Sequence, residues 1–250
     1  MKKSIVAALG LSALLAGAGI AHADRRAFTR TYEYMTMPAG ETELEIYSTQ
    51  SRATFDSDSP QEFNLQLEVE HGITRRWDVS LYHVFEQSSG PALEDNSAFH
   101  FSELKLRTRY RFAERGELPV DILAYAEAVK SFGASAYEAE LKAIIARDFG
   151  RATAVVNAIG AATFGGDVDE VELEIGYAAG LTYEVNPRWK LGAESWGAAD
   201  IEAAGDIAVY AGPAISWAPA ASMWVTGTAG FGVTETADDA TVRLLLGLHI

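Results

Sequence analysis

Apolar and polar side chains alternate at every second residue over long runs of this chain, and that pattern leaves little choice of secondary structure. Residues 62–71 put Phe63, Leu65, Leu67 and Val69 on one side and Asn64, Gln66, Glu68 and Glu70 on the other. Only a β-strand sends successive residues to opposite faces, so these runs are half-buried strands. The same scheme holds in 42–50, where Leu44, Ile46 and Ser48 oppose Glu43, Glu45 and Tyr47. It holds in 99–112, where Leu104, Leu106, Thr108, Tyr110 and Phe112 alternate with Glu103, Lys105, Arg107, Arg109 and Arg111. It recurs in 137–148 and 170–183. Less regular runs lie near 76–86, 118–130, 151–163, 187–197, 206–217, 222–234 and 240–250, and the Ala-rich 151–163 stretch has the least defined register.

Sharing the span 42–250 among these twelve runs leaves roughly 17 residues for a strand and its connection, far more than globular strands of about 5–6 residues need. A tilted crossing of a bilayer takes about 9–11 residues. Connections fall into two alternating sets. Short ones carry Pro, Gly or basic residues, as at Ile73-Thr74-Arg75-Arg76, Glu114 to Pro119, Phe149-Gly150-Arg151, Val185-Asn186-Pro187-Arg188 and Ala218-Pro219-Ala220. Those between them are mostly longer and acidic, as at Asp56 to Pro60, Glu94-Asp95-Asn96, Gly166 to Asp169, Ala198 to Asp206 and Glu235 to Asp239. The short, non-acidic Lys130 to Ala136 connection is the exception. Short turns at one rim and longer loops at the other are the signature of an outer-membrane β-barrel. Trp77, Trp189, Trp217 and Trp224 all flank short turns, where an aromatic girdle at the lipid headgroups is expected.

No cysteine is present, which excludes disulfides, thiolate metal sites and a Cys nucleophile. The formal net charge of −15 argues against nucleic acid as a partner, since phosphate binding needs clustered Lys and Arg. Met1-Lys2-Lys3, the apolar stretch Ser4 to Ile20 and the small residues of Ala21-His22-Ala23 form a secretory signal peptide, so 1–23 is expected to be removed. Residues 24–41 precede the first strand. With both ends of a twelve-strand barrel on the periplasmic side, they read as a periplasmic or partly luminal lead-in, and 42–250 as the barrel.

Energetics sets the register. Turning 99–112 around would face Lys105, Arg107, Arg109 and Arg111 to lipid, at about 2–4 kcal/mol each near the midplane. These four, with Glu43, Glu45, Glu68, Glu70, Glu103, Glu138, Glu140, Lys142, Glu170, Glu172, Glu174, Arg188 and Lys190, are therefore expected to face the interior and line a pore. Glu170, Glu172 and Glu174 are expected beside Arg188 and Lys190 of the next strand, as stabilising cross-strand pairs. Two readings follow: a pore with selectivity set by charge, or a closed, salt-bridged lumen whose loops bind a partner or lipopolysaccharide.

Other chemistry finds no motif. There is no phosphate loop, His-Glu-x-x-His or acidic calcium loop, so no metal or cofactor is expected. His83 and Ser195 share the lipid-facing parity of two strands far apart in order, which leaves a membrane-embedded hydrolase as the weakest reading; the chain is not expected to be an enzyme. A soluble periplasmic β protein is the rival at the level of fold.

Two segments match each other: Glu68-Val69-Glu70-His71-Gly72-Ile73-Thr74-Arg75-Arg76-Trp77-Asp78-Val79, and Glu174 through Gly180-Leu181-Thr182 followed by Arg188-Trp189-Lys190-Leu191. This strand, turn, Arg-Trp, strand unit resembles the hairpins of small outer-membrane transporter-like barrels, including those associated with aromatic-compound degradation pathways. The resemblance implies a twelve-stranded channel of the outer membrane. The chain departs from many such barrels by ending in Ile250 rather than Phe. The expectation is thus an all-β, antiparallel up-and-down transmembrane barrel, passing small solutes or ions, in contact with outer-membrane lipid and lipopolysaccharide. The acidic outer loops imply a modest preference for cations. The transported solute and the oligomeric state are not legible.

Overall fold

A computed structural model of the protein describes residues 25–56, 58–90, 98–133, 135–201 and 207–250. The expected signal peptide 1–23, Asp24, the loop residues Glu94-Asp95-Asn96 and residues 202–206 lie outside the described residues. Twelve strands follow one another: β1 (Thr42–Arg52), β2 (Gln61–Thr74), β3 (Trp77–Ser89), β4 (His100–Arg111), β5 (Asp121–Ser131), β6 (Tyr137–Phe149), β7 (Ala152–Phe164), β8 (Glu172–Asn186), β9 (Trp189–Asp200), β10 (Ala208–Ala220), β11 (Met223–Gly232) and β12 (Ala240–His249). Each pairs antiparallel with its neighbours in sequence, and β12 closes on β1 from Glu43↔His249 to Arg52↔Ala240. Closure leaves no unpaired strand edge, the only way a sheet can cross lipid. Strand lengths run from 10 to 15 residues, enough for a tilted crossing.

The alternation sorts by face as its energetics require. Leu106, Leu141, Ile175, Leu181 and Leu244 are exposed on the outer wall, while the charged positions between them point inward. Aromatic residues girdle the wall at both ends. At the short-turn rim Trp189 stacks on Trp217, with ring centroids 5.6 Å apart, and the Trp77 indole N–H donates to Thr108 Oγ1 at 2.7 Å. At the long-loop rim Phe85 stacks on Phe99 and Phe101 packs on Phe132. Trp224 does not belong to either girdle. It is fully buried in the lumen, where its N–H donates to Glu43 Oε1 at 3.0 Å, so its expected interfacial place is corrected. Trp224 is the second residue of β11, and its parity rather than its closeness to a turn decides its face.

The β8–β9 register corrects a second expectation. Residues equidistant from a hairpin turn face each other, so Lys190 opposes Glu184, and Glu174 opposes Asp200. Glu172 and Glu174 sit at the long-loop end of β8, Arg188 and Lys190 at the turn end, and the two groups never meet. Glu170 precedes β8 and belongs to the loop.

The lead-in enters the barrel rather than lying beneath it. Residues 25–41 go in at the short-turn rim, where Arg25 donates to Pro187 O at 2.9 Å, rise to mid-height at Thr29–Tyr32, and return to that rim. On the way back Tyr34 OH donates to Ala113 O at 2.6 Å and Met37 N to Asp78 Oδ2 at 2.9 Å. Gly40 N then donates to Gly72 O at 2.8 Å, and a Cβ on Gly72 would lie 2.0 Å from Pro38 O, so only glycine admits the chain there. The hydrophobic core of the protein is consequently inside the barrel: Ala27, Phe28, Tyr32 and Tyr34 pack against Leu123, Tyr125, Ile144, Ala146, Val155 and Ala214. Burying a side chain such as Phe28 contributes about 1.5–3 kcal/mol, a strong reason for the segment to stay.

Candidate functional site

Strands β1 to β4 contribute a block of charge with almost no water around it. Arg107 reaches Glu68 at 2.8 Å, Glu70 at 2.6 Å and the Tyr82 hydroxyl at 2.7 Å. Arg109 bonds Asp78 at 2.7 Å and also contacts Glu70. Arg26 of the lead-in donates to Tyr47 OH at 2.9 Å and sits 3.8 Å from Glu45. The register forces like charges to face each other at Glu43↔Glu70 and Glu45↔Glu68, which by itself destabilises the sheet. The arginines offset this, since an interior charge is tolerable only when it is paired and hydrogen-bonded. Glu43, Glu45, Glu68, Glu70, Arg107 and Arg109 therefore face inward as expected but line no water-filled passage, each being at most 2% exposed. Alternation reveals the face of a strand and not what covers it; here the lead-in does. Arg111 lies at the short-turn rim, where its Nε donates to Thr36 Oγ1 at 2.8 Å.

Opposite that block, two polar side chains hold the crest of the lead-in. Glu194 Oε1 accepts from Thr29 N, Thr29 Oγ1 and Thr228 Oγ1, and Oε2 from Arg30 N, Thr31 N and Thr31 Oγ1, all within 2.5–3.1 Å. Asn157 Oδ1 accepts from Tyr32 N at 2.7 Å, and Asn157 Nδ2 donates to Tyr32 O at 2.9 Å. Both sit alone among small residues, Glu194 in Gly-Ala-Glu-Ser-Trp and Asn157 in Ala-Val-Val-Asn-Ala. Phe28 lies against Gly180, where a Cβ would come within 2.6 Å of the ring.

Water-accessible space remains on both sides of the crest. Toward the long loops, a cavity of about 210 Å³ is floored by Thr29, Arg30 and Tyr32 and walled by Lys105, Glu127, Glu138, Glu140, Lys142 and Arg243. It adjoins a second of about 280 Å³ that shares Arg30, Glu140 and Lys142 and adds Glu174, Trp196 and Tyr210. Within this vestibule Lys105 pairs with Glu103 at 3.1 Å and Lys142 with Glu140 at 2.9 Å. At the short-turn rim, a third cavity of about 240 Å³ is lined by Arg115, Asp148, Arg151, Thr182, Glu184 and Lys190. Of the residues expected to line a pore, Lys105, Glu138, Glu140, Lys142 and Glu174 meet in the vestibule, with Glu103 beside them, and Lys190 faces the rim cavity. Glu172 and Arg188 are exposed at opposite ends of the β8–β9 hairpin.

Arg30, Tyr32, Glu127, Trp196, Tyr210 and Arg243 were not picked out by the alternation argument. The signal for several was there, as isolated large or charged side chains at inward positions of strands that otherwise carry Gly and Ala. His83 packs near Phe101, and Ser195 donates to Tyr210 O at 2.9 Å, on β3 and β9, which stand on opposite sides of the barrel. Among the described residues no group of three or more His, Asp or Glu is placed to hold a metal ion.

No family model matches the sequence, and no curated protein matches it. Solved structures do match the fold. An outer membrane channel from Pseudomonas putida F1 superposes with a TM-score of 0.70 at 13% identity, covering 89% of this chain and 100% of that one. The NanC porin gives 0.56 at 11% identity over 83% of this chain and 100% of that one. The KdgM porin, in complex with disordered oligogalacturonate, gives 0.55 at 9% identity over 83% and 97%. The fold is that of small outer-membrane β-barrels, as the hairpin resemblance implied.

Proposed function

We propose that the protein is an outer-membrane channel for small solutes or ions whose passage is narrowed by its own N-terminal segment and tuned by the charges of the vestibule. What carries this reading is the presence of polar, water-accessible cavities above and below the crest of the lead-in, within one closed barrel. The crest of the segment between them is fixed by hydrogen bonds to two side chains, Glu194 and Asn157, a small set of contacts to exchange or loosen. The vestibule charges balance, Glu127, Glu138, Glu140 and Glu174 against Lys105, Lys142, Arg30 and Arg243, and the acidic loops before them favour cations on the way in. Lys105 and Lys142, rather than the buried Arg107 and Arg109, then set the selectivity.

The dry charge block favours a second reading, a closed barrel with a structural role whose acidic loops meet lipopolysaccharide through divalent cations. Reversal potentials across planar bilayers under a salt gradient separate the two. Cation preference, strengthened in Lys142→Glu, supports the channel. Anion preference contradicts its charge assignment, and inserted, heat-modifiable protein without current supports the closed barrel.

A further inference from the structure

Arg30, at the crest of the lead-in, and Arg243, on β12, line the same cavity. Neither side chain makes a hydrogen bond or ion pair with any described residue, and the Nε of each is buried without a partner. Their contacts are to ring faces: Arg30 lies 5.6 Å from the Trp196 centroid and Arg243 5.0 Å from that of Tyr47. Glu194 is the carboxylate whose charge acts on Arg30, yet both its oxygens are already taken by backbone and hydroxyl donors of the crest and by Thr228. The fully buried arginines Arg26, Arg107 and Arg109 each have a carboxylate or hydroxyl partner, whereas the half-buried Arg30 and Arg243 have neither among the described residues. Two guanidinium groups facing one water-accessible cavity without an anion form a fork suited to an oxyanion from outside.

The opposite wall decides what kind of oxyanion. Glu127, Glu138 and Glu140 border the same cavity; Lys142 answers Glu140 and Lys105 approaches Glu127, whereas no ion pair or hydrogen bond from the described residues reaches Glu138. A simple anion seated on the arginines would feel these carboxylates and the acidic loops before them. A molecule carrying a cationic group as well would be drawn through the mouth and meet an unpaired charge of opposite sign at each end.

We infer that the vestibule floor is a binding site for small zwitterions, the ligand's carboxylate bridging Arg30 and Arg243 and its ammonium group facing Glu138. This deepens the channel reading, because it names the solute class, and it rests on the vestibule being reached from the long-loop side.

The test is titration of the folded full barrel in detergent with γ-aminobutyrate, butyrate and butylamine, read by calorimetry and by the fluorescence of Trp196, which lies beside Arg30. Binding of γ-aminobutyrate at least about tenfold tighter than either single-charge analogue, lost in Arg243→Gln and in Arg30→Gln, is the expected result. Arg243→Lys, which keeps the charge but not the fork, should recover only part of the affinity. Heat-modifiable migration of each variant shows that loss of binding is not loss of fold. Equal binding of butyrate, equal binding of butylamine, or unchanged affinity in both glutamine variants would overturn the assignment. Conductance of the same protein keeps the two claims apart: current without binding removes the zwitterion site and leaves the channel, while binding without current keeps the site and removes the channel.

Discussion

Thr31 N donates to Glu194 Oε2 at 2.9 Å, joining the crest of the N-terminal segment to a strand 163 residues away. With its neighbours, this bond makes one carboxylate the main polar hold on the crest at Thr29–Thr31. Charge-assisted bonds of this kind contribute about 1.5–3 kcal/mol each. Replacement of Glu194 by Ala should therefore free the crest while the strand ladder stays intact. Limited proteolysis of folded, liposome-inserted protein should cut within 25–41 at least about tenfold faster in Glu194→Ala than in the wild type. Equal cutting rates would show that apolar packing and the remaining hydrogen bonds retain the segment without Glu194.

Gly180→Val tests that packing. The added side chain would collide with the Phe28 ring, and overpacking of this sort costs about 1–3 kcal/mol. Expulsion of Phe28 rather than loss of the barrel is expected, seen as faster proteolysis of 25–41 with unchanged heat-modifiable migration. A variant that fails to fold would show that Phe28 is essential to the barrel itself.

Arg109→Met should be among the most damaging substitutions in the protein. It strips Asp78 and Glu70 of a buried partner, a change that costs about 3–5 kcal/mol. The urea midpoint for unfolding from micelles should fall sharply, and the triple variant that also replaces Glu70 and Asp78 by apolar residues should recover most of the loss. A small effect of Arg109→Met would mean that water reaches the block.

Single-tryptophan variants in liposomes doped with brominated lipid should separate the two tryptophan environments. Trp77, Trp189 and Trp217 should be quenched, and Trp224 should not, because it is enclosed with Glu43. Quenching of Trp224 would contradict its luminal position.

Much of this architecture is readable from side-chain period alone. A strand with charges on one face and aliphatics on the other can cross lipid in one register, so β2, β4 and β6 have their faces decided by Glu68, Arg107 and Glu140. Turn asymmetry and parity did the same for the strand count. What period two cannot carry is the content of the lumen. Glu70 and Glu138 are equivalent by alternation, yet one is sealed beneath the lead-in and the other faces a cavity. Inward apolar residues such as Leu123, Ile144 and Val155 were the missed signal, because a water-filled lumen has no use for them and a segment packed inside does. Trp224 lies inside for a different reason: in a strand, parity and not closeness to a turn decides the face. Glu174 and Lys190 are near in sequence across the β8–β9 hairpin but far apart in its register, which pairs residues equidistant from the turn.

The most direct test of the account is single-channel recording of wild-type and Glu194→Ala protein in planar bilayers. Discrete but small steps are expected from the wild type, and larger or longer openings from the variant, because the barrier is the segment that Glu194 holds. Correctly folded, inserted protein that is silent in both forms, or a variant whose steps match the wild type, would contradict the proposal that the N-terminal segment sets the passage.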